Sequence, residues 1–231
     1  MPRPVLLVLH GALGAADQMA PLVPVLESGF QPRLLDLPGH GSAPLTGGFD
    51  TASFAACFID WLEREQLGPV HCFGYSMGGY VALETARQRP DLIRDVATLG
   101  TKFDWSRESA ARETRFLDPA AIRAKVPYFA ELLESRHSAL GWETVLRHTA
   151  DLMLALGAEP LLTPERLSQI SCRVRVMVGD RDGTVSVTES AAAAKAIPEG
   201  ELEVLPRTLH PFERAPLQRL GWSLKEFFLG S

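Results

Sequence analysis

The sequence predicts an α/β fold in which a mainly parallel sheet carries helices on both faces. Short apolar runs alternate with longer segments whose apolar residues recur at helical spacing. The short runs are continuously apolar, which is typical of strands buried on both faces of a parallel sheet. Six such runs predict strands over 5–9, 33–35, 70–73, 96–99, 174–178 and 202–205. Helices are predicted over 51–66, 77–89, 186–197 and 216–229.

One long stretch interrupts this alternation. No strand signal occurs between Leu99 and Val174, and several helical patterns occupy the interval. Asp118 and Thr163 each precede a proline, as an N-cap precedes the first residue of a helix. Because inserted helices above a site commonly act as lids, we expect a helical cap over 104–169. The core domain is then formed by 1–103 and 170–231.

Composition narrows the function. The chain has 231 residues, a formal net charge of −5 and three cysteines. The negative charge disfavours nucleic acid or an anionic membrane as a partner. No apolar stretch is long enough for a signal peptide or a transmembrane helix. Cys57, Cys72 and Cys172 have no metal-ligand spacing. We therefore expect a cytoplasmic protein, a monomer or homodimer, which binds a small molecule and needs no cofactor or metal.

The segment VHCFGYSMGGY, residues 70–80, is the most informative motif. An apolar run leads directly into Gly74-Tyr75-Ser76-Met77-Gly78, which begins a predicted helix. This is G-x-S-x-G in a strand–turn–helix context, where the turn exposes the serine hydroxyl above the sheet edge. The motif predicts that Ser76 is a nucleophile.

A serine hydroxyl needs a general base and an acid that orients it. The motif predicts both later in the chain, the acid first and then a histidine. Asp180 and Asp182 follow the fifth predicted strand, and His210 follows the last. Ends of parallel strands are where such side chains meet. The residue pattern alone leaves the choice between the two aspartates open.

Several segments together resemble the α/β-hydrolase superfamily along nearly the whole chain. They are LHGALG (9–14), DLPGHG (36–41), GYSMGG (74–79), GDRD (179–182) and HPFERAP (210–216). The resemblance implies that Asp182, the last residue of G-x-x-D, is the acid, and that Asp180 braces its loop. Asp104 is a weaker third candidate. Ser76, Asp182 and His210 are then the predicted catalytic triad.

The resemblance also implies an oxyanion hole and a trimmed sheet. The two backbone donors of the oxyanion hole are the N–H groups of Met77 and Ala12, with Leu13 as the alternative to Ala12. The family normally has a two-strand hairpin before the strand that leads into His10-Gly11, and this sequence has no room for one. We therefore expect a six-stranded sheet with 33–35 at its edge.

Candidate substrate-binding residues are Leu13, Phe103, Trp105, Tyr128, Phe129, Trp142 and Met153.

Three functions remain open. The first is hydrolysis of a small, fairly apolar carboxylic ester through an acyl-enzyme. The second is a lyase or carbon–carbon bond hydrolase, because residues 9–14 and 74–79 also resemble the menaquinone-pathway synthase. That family has arginine where this chain has Tyr80, which disfavours it. The third is a ligand receptor that retains the triad.

Overall fold

The six predicted strands form one parallel sheet. The structure is a computed structural model and describes residues 3–230. Its strands are β1 (Val5–Leu9), β2 (Gln31–Leu35), β3 (Val70–Tyr75), β4 (Ile93–Leu99), β5 (Arg173–Gly179) and β6 (Gly200–Leu205). They lie in the order β2-β1-β3-β4-β5-β6, and every neighbouring pair is parallel. The sheet therefore has β2 at one edge, as the sequence predicts.

The edge strand begins two residues earlier than expected. Pro32 lies inside β2, and a proline normally argues against a strand because it has no N–H to donate. Here β2 pairs only with β1, so its outer side needs no hydrogen-bond donor. Pro32 is therefore tolerated at the edge.

Helices connect the strands and cover both faces. They are α1 (Ala16–Met19), α2 (Val23–Leu26), α3 (Thr51–Arg64), α4 (Met77–Gln88), α5 (Arg107–Thr114), α6 (Pro119–Lys125), α7 (Pro127–Arg136), α8 (Trp142–Ala158), α9 (Pro164–Leu167), α10 (Val187–Ala196) and α11 (Leu217–Leu229). Short 3₁₀ turns occupy Ala20–Leu22 and Phe212–Arg214. The short helices between β1 and β2 were not predicted from the sequence. None of the helices within residues 3–230 has the length and apolar character needed to cross a bilayer.

Alternate residues of each strand supply two separate cores. Leu7 and Leu9 of β1 belong to the core covered by α3, α4 and α10, whereas Leu6 and Val8 belong to the core covered by α2 and α11. The second core is closed by a buried face of α11 whose members are Leu220, Leu224, Phe227 and Phe228. Each side chain of this size stabilises the fold by about 1.5–3 kcal/mol when fully buried.

All the regular secondary structure between β4 and β5 is helical. Asp118 accepts a hydrogen bond from the N–H of Ala120, and Thr163 accepts one from Arg166, so both predicted N-caps are present. The long helix α8 packs against α5 and α7. Its Leu152 and Leu156 join the core above α4, so this helix lies over the segment that carries Ser76.

Candidate active site

Ser76 occupies a strained turn between β3 and α4. Its backbone has φ 50° and ψ −116°, a region that residues with a side chain rarely adopt. The two motif glycines make the turn possible. A Cβ on Gly74 would lie 2.3 Å from the nitrogen of Gly79, and one on Gly78 would lie 2.5 Å from the carbonyl oxygen of Leu9.

Two hydrogen bonds fix this turn to the end of β4. The Ser76 N–H donates to the carbonyl oxygen of Leu99 at 2.8 Å. The Thr101 hydroxyl donates to the carbonyl oxygen of Ser76 at 2.9 Å. The surrounding structure therefore holds the strained backbone, and the serine lies at the carboxyl edge of the sheet.

Asp182 and His210 form a hydrogen-bonded pair at the same edge. The distance from Nδ1 of His210 to Oδ2 of Asp182 is 2.8 Å, and the Asp182 side chain is only 2% exposed. Its other oxygen, Oδ1, accepts the N–H groups of Thr184 and Val185, each at 2.8 Å. An ionised carboxylate only accepts hydrogen bonds. We therefore assign the histidine proton to Nδ1, which leaves Nε2 free to accept a proton.

The loop that carries His210 is attached to β3, the strand that leads to Ser76. The Tyr75 hydroxyl donates to the carbonyl oxygen of His210 at 2.9 Å, and the two rings are 5.6 Å apart. Burial raises the pKa of Tyr75, which keeps this hydroxyl a donor. Gly100 has φ 64°, and a Cβ there would lie 3.2 Å from Nδ1 of His210. The imidazole thus packs against the residue that follows Leu99, the hydrogen-bond partner of Ser76.

The other candidate acids do not pair with this histidine. Asp180 is exposed and accepts the N–H of Thr208 at 3.3 Å, so it contacts the loop that leads to His210. Asp104 is exposed, and its backbone N–H donates to Glu189. Asp182 is the predicted acid that the structure brings to His210.

The predicted oxyanion donors lie at the start of a helix and in a loop, both close to the serine. Met77 is the first residue of α4 and Ala12 follows β1. Within residues 3–230, neither backbone N–H donates a hydrogen bond to another protein group. A Cβ on Gly11 would lie 2.7 Å from the Tyr75 ring. The absence of a side chain there lets the Ala12 loop approach the turn that carries Ser76.

Three buried histidines, His10, His40 and His137, pack ring to ring near the loop after β1, with centroids 5.0 Å and 5.8 Å apart. Nε2 of His10 accepts the N–H of Leu37 at 3.0 Å, and Nδ1 of His137 accepts the N–H of Gly41 at 3.1 Å. Desolvation by burial lowers the pKa of His10 to about 4 and also lowers the pKa of His40 and of His137. They are therefore neutral at pH 7. His137 also contacts the carbonyl oxygen of residue 13 through Nε2, which links α7 to the predicted oxyanion loop.

A small cavity of about 40 Å³ lies next to the serine hydroxyl. It is lined by Thr51, Ser76, Met77, Tyr80, Lys102, Trp105, Leu152, Met153 and Leu156. Trp105 and Met153 are two of the seven predicted substrate-binding residues. The Tyr80 hydroxyl accepts the N–H of Leu162 at 2.7 Å, and burial raises the pKa of Tyr80 to about 12. Tyr80 therefore stays neutral and ties α4 to the segment before α9.

The other five predicted binding residues lie away from this cavity. Tyr128 is 79% exposed, in the first turn of α7. Phe103 lines a neighbouring depression beside α10. Leu13, Phe129 and Trp142 pack into a separate apolar cluster under α6 and α7. The cavity in this structure thus takes its walls from α8, from the segment after β4, and from the beginnings of α3 and α4.

Five residues of the cavity wall were not predicted from the sequence: Thr51, Tyr80, Lys102, Leu152 and Leu156. Lys102 is the charged residue among them. It follows the end of β4, at the same sheet edge as Ser76, and that position is the one available signal. The cysteines are free, and the described residues include no cluster of His, Cys, Asp or Glu arranged to hold a metal ion.

Comparison with known proteins places this architecture in a family. Residues 4–146 match the family model described as the alpha/beta hydrolase fold. The chain belongs to the alpha/beta hydrolase fold family. Among solved structures, NosK from Streptomyces actuosus superposes with a TM-score of 0.80 at 21% identity, over 99% of this chain and 98% of that one. That likeness shows the shared fold.

Two curated relatives differ in the share of this chain that they match. A pimeloyl-[acyl-carrier protein] methyl ester esterase of Chromobacterium violaceum is 27% identical over 225 residues, covering 88% of this chain and 84% of that protein. An (E)-2-((N-methylformamido)methylene)succinate hydrolase of Acinetobacter baylyi is 31% identical over 109 residues, covering 47% of this chain. The chain spans only 41% of the length of the Acinetobacter protein.

Proposed function

We propose that this alpha/beta hydrolase cleaves esters of small carboxylic acids, with Ser76 as nucleophile, His210 as general base and Asp182 as the orienting acid. The 2.8 Å bond between Asp182 and His210, at the same sheet edge as Ser76 on its strained turn, carries the proposal. The names of the two curated relatives, an esterase and a hydrolase, support it.

The proposed reaction has two stages. The Ser76 oxygen attacks the ester carbonyl carbon while Nε2 of His210 takes the hydroxyl proton. The N–H groups of Ala12 and Met77 stabilise the negative oxygen that forms. The carbon–oxygen bond to the alcohol then breaks, and His210 returns its proton to the departing alkoxide. Water deprotonated by His210 attacks the acyl-enzyme, releases the carboxylic acid and restores the serine.

The walls of the cavity favour a short acyl group. Leu152, Met153 and Leu156 of α8 close it from above, and its volume of about 40 Å³ is far below that of typical ligand sites, roughly 300–1,000 Å³. We infer that α8 moves to admit the substrate and that the cap predicted over 104–169 shapes its acyl end.

A panel of p-nitrophenyl esters with acyl chains from two to twelve carbons tests this function. We expect kcat/KM to be highest for the short chains and to fall by several orders of magnitude in Ser76→Ala. Ser168→Ala is the matched control, because that serine lies after α9, outside the site. An absence of turnover for every ester, or equal rates in wild type and Ser76→Ala, would refute the proposal.

A further inference from the structure

Lys102 places a buried positive charge in the wall of the candidate active site. It is 7% exposed and lines the cavity that contains Ser76. Its neighbour Thr101 donates to the carbonyl oxygen of Ser76. Lys102 therefore directly follows a residue that is hydrogen-bonded to the turn of Ser76.

The ammonium group of Lys102 is incompletely paired within residues 3–230. It has three protons to donate, and one hydrogen bond, to the carbonyl oxygen of Thr184 at 3.3 Å, is made. Oε1 of Glu189 lies 3.9 Å away, beyond hydrogen-bond distance. That carboxylate already accepts hydrogen bonds from the backbone N–H groups of Phe103 and Ser186.

An aromatic ring of the cavity wall lies close to this cation. The Trp105 ring centroid lies 5.7 Å from the ammonium nitrogen, and the Trp105 indole N–H donates to the carbonyl oxygen of Lys102 at 3.1 Å. The remaining cavity residues are neutral. A buried charge is costly unless an opposite charge and hydrogen bonds compensate it. Glu189 compensates it in part, which leaves donors available to a ligand.

We propose that Lys102 binds a carboxylate on the acyl part of the substrate, so that the preferred substrates are half-esters of short dicarboxylic acids. This inference rests on the proposed function for the identity of the reacting ester group. Lys102 acts as a specificity residue: its ammonium group forms charge-assisted hydrogen bonds with the free carboxylate while the ester carbonyl lies at Ser76.

A binding measurement tests this without relying on turnover. Calorimetry on the Ser76→Ala variant compares the monomethyl esters of succinate, glutarate and adipate with their isosteric neutral amides. We expect at least one half-ester to bind about 10–100-fold more tightly than its amide, the range of a hydrogen bond to a charged group. Adding Lys102→Gln should bring that ratio close to one, and Lys102→Arg should restore part of it.

Lys195→Gln is the matched control, because Lys195 is an exposed lysine on α10. It should leave the ratio unchanged. The proposal is overturned if no half-ester binds more tightly than its amide, or if the preference survives Lys102→Gln. If Lys102→Gln weakens the binding of the half-ester and of the amide by the same factor, the lysine has a purely structural role and the proposal is overturned. Preferential binding by Ser76→Ala with no ester turnover by the wild type would uphold the carboxylate site and refute the hydrolase proposal.

Discussion

The Asp182→Asn variant tests how the acid controls its histidine. Oδ1 of Asp182 accepts two backbone N–H groups at 2.8 Å, and Oδ2 accepts the proton of His210. Asparagine keeps one acceptor oxygen and gains an NH₂ group. If its oxygen stays with the two N–H groups, the NH₂ group faces Nδ1 of His210. The histidine proton then moves to Nε2, which can no longer accept a proton from Ser76.

The opposite rotamer is less favourable. It would direct the NH₂ group at the N–H groups of Thr184 and Val185 and leave two buried donors unpaired, at about 1–3 kcal/mol each. We therefore expect the unproductive tautomer to dominate in Asp182→Asn. Its kcat should fall by about 10⁴, which corresponds to about 5 kcal/mol of transition-state stabilisation.

The assay is kcat for p-nitrophenyl acetate, with thermal unfolding to confirm that the variants fold. Asp180→Asn is the matched control, because Asp180 is exposed and its side chain accepts a hydrogen bond from the loop before His210. It should retain kcat within a few-fold. The proposed role of Asp182 is refuted if Asp182→Asn keeps more than about a tenth of the wild-type kcat, or if the kcat of Asp180→Asn falls equally far.

Three further predictions concern the structure that supports the site. In Gly78→Ala the new Cβ would lie 2.5 Å from a backbone oxygen, so we expect a loss of about 1–3 kcal/mol in urea unfolding, whereas Gly183→Ala, with open space around it, should change little. Tyr80→Phe leaves the buried N–H of Leu162 without its acceptor and should cost about 1–3 kcal/mol; an unchanged unfolding midpoint would contradict this bond. Acidification should destabilise the fold because the pKa of His10, about 4, lies below its ordinary value near 6.5, so the unfolded chain binds the proton more readily. Between pH 6.5 and 5 this histidine alone should remove about 2 kcal/mol of unfolding free energy, and His10→Gln should lessen the pH dependence.

The central residues of the site could be predicted because their positions follow from topology. Ser76 follows a strand, and Asp182 and His210 follow two others. In a parallel sheet all these strand ends lie at one edge, so local sequence patterns were sufficient to place Ser76, His210 and the two candidate aspartates there. The choice of Asp182 over Asp180 came from the family resemblance. The N-caps at Asp118 and Thr163 are equally local, since each depends on a side chain and an N–H two or three residues away.

The pocket residues could not be predicted in the same way. Tyr128 is aromatic, but its position on α7 directs it to solvent, and sequence spacing does not show which face of a short helix meets the body. Lys102 carries no pattern that marks it as buried. Its burial depends on α8 and on Glu189, which are far away in the sequence and come together only through tertiary packing.

Covalent labelling is the most direct test of the claim that Ser76 is the nucleophile. The protein is treated with a fluorophosphonate, which reacts with activated serines, and the modified peptide is identified by mass spectrometry. We expect a single adduct on the peptide that contains Ser76, and no adduct in Ser76→Ala. The absence of an adduct in the folded wild type, or an adduct that persists in Ser76→Ala, would contradict it.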